Sequence, residues 1–151
     1  MAETLNTDRT ISAWVAQYRL PGDEDGMIHE CRVLLNLGPG VNGHPDICHG
    51  GFVAVVLDEV MGLLLVVNEE RNRALGERGS GGRQRFRGPV FTASLKVDYG
   101  RPCPTPGVVL ARALLTRVEG RKRFVNATLE DGRGGVYARG EGVFVAVREN
   151  L

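Results

Sequence analysis

Between Gly50 and about Asn68 the sequence leaves no polar face. Phe52, Val53, Val55, Val56, Leu57, Val60, Met61 and the stretch Leu63 to Val67 would surround a helical axis on every side. A helix of that kind must be buried nearly all round, so the rest of the chain has to wrap it. Only 151 residues are available, enough for one domain, 1–151, with a real core and too few for two. The longest apolar stretch, Val60 to Val67, is interrupted by Gly62 and is too short to span a bilayer. The opening Met-Ala-Glu-Thr-Leu-Asn-Thr-Asp is polar and lacks an apolar leader core. The expectation is a soluble intracellular protein of the cytoplasm or an organelle matrix, with no membrane span.

The flanking patterns say what does the wrapping. Thr7 or Asp8 can cap a short N-terminal helix to about Tyr18, with Ile11, Trp14, Val15 and Tyr18 as its apolar stripe. The Leu20-Pro21-Gly22 break ends it. From Met27 to Leu37 the period changes to two: Cys31, Val33, Leu35 and Leu37 share one face of a strand, and Glu30, Arg32 and Asn36 the other. Gly38-Pro39-Gly40 and Asn42-Gly43-His44-Pro45 make a loop. Residues 71–88, rich in glycine and charge, predict an exposed loop. Beyond Pro89 lie four stretches of period two, near 90–99, 108–118, 123–129 and 136–147. Glu119-Gly120 and Asp131-Gly132 mark tight connections between the last three. An antiparallel sheet of about five strands has one face to bury, and a single all-apolar helix laid across it solves both problems. This α+β arrangement is the hotdog fold.

Composition excludes several functions. Nineteen basic and eighteen acidic side chains leave a net charge of +1, so nothing global attracts nucleic acid or a membrane surface. Arg83, Arg85 and Arg87 around Phe86 have one aromatic among them, too little for RNA binding. Cys31, Cys48 and Cys103 are an odd, widely spaced set without a Cys-x-x-Cys pair; they predict neither a disulfide framework nor a metal site.

Chemistry is expected where the pattern breaks. Asp58 and Glu59 put carboxylates into the apolar helix, and burying a charge costs several kcal/mol, about as much as only a partner or a purpose can offset. For Glu59 a solvent gap suffices. Asp58 is preceded by His49-Gly50-Gly51 where the chain turns into the helix, and free amides at such a turn stabilise negative charge developing on oxygen. His49 and Asp58 are nine residues apart, about 13 Å along one helix at ~1.5 Å per residue, too far to serve one carbonyl within one chain. If both act, the helix start of one subunit must meet Asp58 of another across a two-fold axis.

These residues, with Thr92-Ala93-Ser94-Leu95-Lys96-Val97-Asp98-Tyr99-Gly100-Arg101-Pro102, resemble the signature of PaaI-like acyl-CoA thioesterases in the 4-hydroxybenzoyl-CoA thioesterase superfamily. The resemblance runs from about Met27 to Val147. It implies thioester hydrolysis without a cofactor, Asp58 as general base or nucleophile, the Gly50 N–H as oxyanion donor and His49 orienting the site. It also implies that Thr92 assists the acid or water, with Asn42 a further candidate. Gly51 and the cluster Arg121-Lys122-Arg123 would hold coenzyme A, the cluster by its phosphates. The implied assembly is a homodimer or a dimer of dimers. Two alternatives share the fold, an acyl-CoA hydratase or dehydratase and a non-catalytic acyl-CoA-binding protein. The motifs expected of the former are not seen, and Asp58 argues against the latter.

Overall fold

The computed structural model describes residues 2–22, 26–77 and 88–147. After a single helical turn, α1 (Ala2–Leu5), come β1 (Ile11–Tyr18) and β2 (Glu30–Leu37), then a 3-10 turn at Pro39–Val41. A small ribbon of β3 (Asn42–His44) and β4 (Ile47–Cys48) leads into the long helix α2 (Gly50–Glu77). The chain ends with β5 (Val90–Tyr99), β6 (Gly107–Glu119), β7 (Lys122–Glu130) and β8 (Val136–Ala146). Among the described residues the main sheet has six strands in the order β1-β2-β6-β7-β8-β5, each pair antiparallel.

The helix lies across one face of this sheet, as a hotdog fold requires. Cys31, Val33 and Leu35 of β2, Ala111 and Ala113 of β6, and Val125 and Leu129 of β7 are fully buried against Val56, Leu57, Val60, Met61 and Leu64 of α2. Strand β8 makes room with glycine. A Cβ on Gly140 would meet Met61 Cε at 2.8 Å, and one on Gly142 would meet Met61 Sδ at 2.5 Å. By length and apolarity α2 would pass as a bilayer span, but this helix is the core around which the sheet is built. Its buried Asn68 is satisfied twice over by Ile28, accepting its N–H and donating to its carbonyl at 2.9 Å each, and donates to Leu64 O at 2.8 Å.

Two expectations are corrected. The segment expected as an N-terminal helix to Tyr18 is strand β1, paired with β2 from Ile11↔Leu37 to Tyr18↔Cys31. Its β-branched and aromatic residues suit a strand equally well, and without it the edge of β2 would leave a row of backbone groups unpaired. Only Ile11 of β1 is buried, so no core exists for a helical stripe to meet. At the other end, α2 continues to Glu77 through what was expected to be exposed loop. Residues 69–77 are mostly good helix formers, and Leu75, on one stripe with Leu64 and Asn68, is buried. The Arg83, Arg85 and Arg87 cluster lies outside the described residues.

Candidate active site

The start of α2 is fixed on several sides. The β3–β4 ribbon turns through Asp46 at φ 58°, a left-handed conformation that aspartate tolerates, and sets Asn42 opposite Cys48. His49 N–H donates to Val41 O at 2.8 Å, and the His49 carbonyl accepts from Phe52 N at 2.9 Å and Val53 N at 3.1 Å. The next peptide is held at both ends: Gly51 N–H donates to His49 Nδ1 at 2.9 Å, and the Tyr99 hydroxyl donates to Gly50 O at 2.8 Å. An imidazole accepting at Nδ1 carries its ring proton on Nε2, so His49 offers a donor outward. Gly43 allows the ring to lie where it does, since a Cβ there would stand 2.9 Å from His49 Cδ2 and 3.0 Å from its Cα. Gly50, between two fixed peptides, opens the helix and has no intrahelical acceptor for its N–H, at the positive end of the helix dipole. It lines a hollow of about 410 Å³ with Val53, Tyr99, Arg101, Cys103 and Tyr137.

Asp58 is elsewhere. Two turns along α2, it accepts a hydrogen bond at Oδ1 from Thr92 Oγ1 at 2.8 Å. A second hollow, about 320 Å³, contains both residues together with Trp14, Glu59, Leu63 and Phe144. Eight residues separate Gly50 from Asp58, about 12 Å of helix. Within one chain neither carboxylate is buried: Asp58 is partly exposed and Glu59 exposed. Val55, Asp58, Glu59, Gly62 and Val66 follow the helical repeat along the face turned away from the sheet, which explains how an apolar helix carries two charges.

Thr92 reaches Asp58 through a feature that period-two reading misses. The sequence places Thr92, Ser94, Lys96 and Asp98 on one strand face. A bulge between Thr92 and Ser94 shifts the register, so Thr92 pairs with the buried Phe144 while Ser94 pairs with Val143. One extra residue flips the parity and turns Thr92 toward α2. Lys96 stays on the other face, with Asp98 at 2.9 Å and Glu141 at 3.8 Å.

The remaining candidates separate. Asn42 Oδ1 accepts from the buried Thr105 hydroxyl, which leaves its NH2 as the donating end. Arg121 and Lys122 are exposed at the β6–β7 turn, at the end of the sheet where Thr92 lies. The register runs Arg123↔Phe144↔Thr92, two strand spacings or roughly 10 Å. Arg123 does not join them. It alternates with Val125 and Ala127 on the buried face, donates from Nη1 to Gly120 O at 2.7 Å and Lys122 O at 3.2 Å, and burial pulls its pKa below the usual arginine value. Of the expected cluster Arg121-Lys122-Arg123, only Arg121 and Lys122 are exposed. Among the described residues no three His, Cys, Asp or Glu side chains gather as a metal site. Tyr99, Gly43 and Thr105 were not singled out by sequence; only Tyr99, inside the motif after the loop, carried a signal.

Residues 46–138, more than half the chain, match the sequence model of the Thioesterase superfamily. The chain belongs to the thioesterase superfamily. It is 30% identical to Verlamelin biosynthesis protein B of Lecanicillium sp over 91% of its own length and 67% of that protein's. It is 32% identical to Acyl-coenzyme A thioesterase THEM4 of Rattus norvegicus over 64% of its length, yet this match spans 34% of the rat protein. Among solved structures, a Bacillus halodurans protein crystallised with CoA superposes with a TM-score of 0.58 at 25% identity, over 77% of this chain and 66% of that one. This thioesterase-superfamily chain thus spans about a third to two thirds of the curated relatives named here.

Proposed function

We propose that this chain hydrolyses acyl-CoA thioesters to the free acid and CoA, in a site formed by the Gly50 end of α2 in one copy and Asp58 with Thr92 in a second. The observation that carries the reading is the Thr92–Asp58 hydrogen bond on an exposed helix face, about two turns from the amide it would have to work with. The naming of the rat relative as an acyl-CoA thioesterase, and CoA in the Bacillus structure, support the substrate class.

In this scheme the thioester oxygen sits at the Gly50 N–H, where the dipole of α2 stabilises the charge of a tetrahedral intermediate. Asp58 either removes a proton from an attacking water or attacks the carbonyl carbon itself; Thr92 holds Oδ1 and so directs the carboxylate. The carbon–sulfur bond then breaks, CoA leaves as the thiol, and water supplies the oxygen of the acid. Arg121 and Lys122 hold CoA phosphates, remote from the bond that breaks.

The geometry suits a symmetric pair. Bringing Gly50 against the partner's Asp58 puts a two-fold axis halfway between residues 50 and 58, beside Val55, which is 37% exposed. On β5, the same condition places the axis halfway between Thr92 and Tyr99, beside Leu95 and Lys96. Because β5 is an edge of the sheet, its copy can extend the sheet across the axis while the α2 faces meet. The test is hydrolysis of a panel of acyl-CoAs followed with a thiol reagent. Asp58→Asn should lower turnover at least about a hundredfold with folding intact. Mixed dimers of Asp58→Asn and Gly50→Val chains, each inactive alone, should regain activity because one of their two sites carries neither lesion. No recovery in verified heterodimers, or full activity in a verified monomer, would refute the shared site.

A further inference from the structure

Two of the three cysteines face each other beside the Gly50 hollow, and the hydrolytic scheme uses neither thiol. Cys48 N–H donates to Cys103 O at 2.9 Å, Thr105 N–H donates to Asp46 O at 3.0 Å, and Ile47 bridges to Pro104 between them. Those bonds define one short antiparallel rung, with Ile47 opposite Pro104 and Cys48 opposite Cys103, the two cysteines joined by a single backbone hydrogen bond. Residues opposed in an antiparallel ladder have Cα atoms roughly 4.5–5.5 Å apart. A disulfide requires a Cα separation of roughly 4.4–6.8 Å, so the backbone already stands where a cross-link needs it. The Cys48 thiol donates to His49 O at 3.8 Å, each of the two thiols shifts the other's pKa, and both residues line the hollow that opens past Gly50 and Tyr99. Both are buried in the single chain, at 6% and 4% exposure, so an oxidant has to enter through that hollow.

We infer that Cys48 and Cys103 form a modification site for hydroperoxides, which oxidise the pair to an intrachain disulfide. The two sulfurs have separate parts. Cys103 is held below the ordinary thiol pKa, chiefly by the Cys48 thiol that donates to it and further by the Arg101 charge, so it supplies the thiolate. The same hydrogen bond and burial push Cys48 up and keep its proton. The Cys103 thiolate attacks a peroxide oxygen, forming a sulfur–oxygen bond as the oxygen–oxygen bond breaks, and becomes a sulfenic acid. Cys48 then attacks the Cys103 sulfur and water leaves. Two thiols and one hydrogen peroxide become one disulfide and two waters. Cys31 has no share in this: burial first, then Glu30, push its thiol up to about 11, and it lies under the sheet at the far end of the core.

The experiment uses the whole chain, treated with hydrogen peroxide, denatured, alkylated and mapped by mass spectrometry. A peptide joining Cys48 to Cys103 should appear, lighter by two hydrogens and reversed by dithiothreitol, with Cys31 alkylated. Cys31 should be consumed at least about tenfold more slowly, as expected of a buried thiol of raised pKa. In Cys48→Ser the disulfide should be absent and Cys103 should be trapped as a sulfenic acid by dimedone. Alkylation of both Cys48 and Cys103 after peroxide treatment of the unmodified sequence, or Cys103 overoxidised with Cys48 still free, would overturn the assignment. So would a cross-link that runs between two chains instead of within one.

Discussion

Replacing Tyr99 with phenylalanine isolates one hydrogen bond and tests whether the Gly50 amide owes its orientation to it. The Tyr99 hydroxyl donates to Gly50 O at 2.8 Å, while the other end of the same peptide, Gly51 N–H, is held by His49 Nδ1 at 2.9 Å. Losing one end frees this peptide to rotate about the other, and the adjoining His49–Gly50 peptide, which carries the Gly50 N–H, is then restrained from one side only. A neutral hydrogen bond between partly exposed groups contributes about 0.5–1.5 kcal/mol net, because water replaces the lost partner. If that energy serves to aim the amide at the transition state, turnover falls by roughly two- to tenfold, at about 1.4 kcal/mol per factor of ten. Global stability should fall by no more than about 1 kcal/mol, since the Tyr99 ring is 56% exposed and stays in place as phenylalanine. The assay is steady-state hydrolysis of one good acyl-CoA substrate by both proteins, with urea unfolding beside it. An interaction made in the transition state lowers kcat and kcat/KM together. An unchanged kcat, or a loss confined to KM, would show that Tyr99 does not position the amide.

Other expectations follow from the same geometry. Arg121→Ala with Lys122→Ala should raise KM for CoA esters with little change in kcat and have no effect on short pantetheine thioesters; an unchanged KM for CoA esters would remove the turn from the site. Val55→Arg should give a folded chain by circular dichroism that sediments as a monomer and does not hydrolyse thioesters, and a dimer surviving the change would place the interface elsewhere. Asp131, which accepts from Arg101 Nη2 at 2.6 Å and from the N–H groups of Arg133 and Gly135, is held at about 2, below its unfolded value of roughly 3.9. Its stabilisation is therefore complete above about pH 4 and is lost as pH falls toward 2, so urea midpoints of the native chain and Asp131→Asn should converge over that interval. Midpoints that keep a constant separation there would contradict this.

What was legible in the sequence follows from how far each pattern depends on its neighbours. The unbroken apolar character from Gly50 to Asn68, and the alternation in β2 and β6 to β8, describe what each element buries, and these elements stand close to where they were expected. Ile11, Trp14, Val15 and Tyr18 fit a helical stripe and a strand alike, and only the open edge of β2, thirteen to twenty-six residues on, decides between them. Parity explains two further differences. Arg123 reads as part of a basic run but belongs to the inward set of β7, and Thr92 reads as sharing a face with Ser94, Lys96 and Asp98 but is turned away from them by the β5 bulge. A bulge costs one residue of register and leaves no mark in composition, so the contact that ties Thr92 to Asp58 was implied only by resemblance. His49, Gly50 and Asp58 stood out because they broke a local pattern; Gly43 and Thr105 did not, because what they touch comes from elsewhere in the chain.

The exposed face of α2 connects that reading to the proposed assembly. A helix apolar on all sides needs cover on all sides, and the sheet covers only one: Val56, Leu57, Val60, Met61 and Leu64 are sealed, while Val55 and Val66 remain 37% and 43% exposed in the single chain. Asp58 and Glu59 lie between those valines, so whatever covers the face must tolerate two carboxylates and find a use for at least one. A second copy does both. Turned end for end, it lays its Val55 near the axis, where apolar surface is lost from both chains, and brings its own helix start to Asp58, where free N–H groups face a negative charge or a substrate oxygen. In the proposed assembly, the feature that most constrains how this chain folds is the same one that a second copy would cover, and the proposed active site lies where the two copies meet.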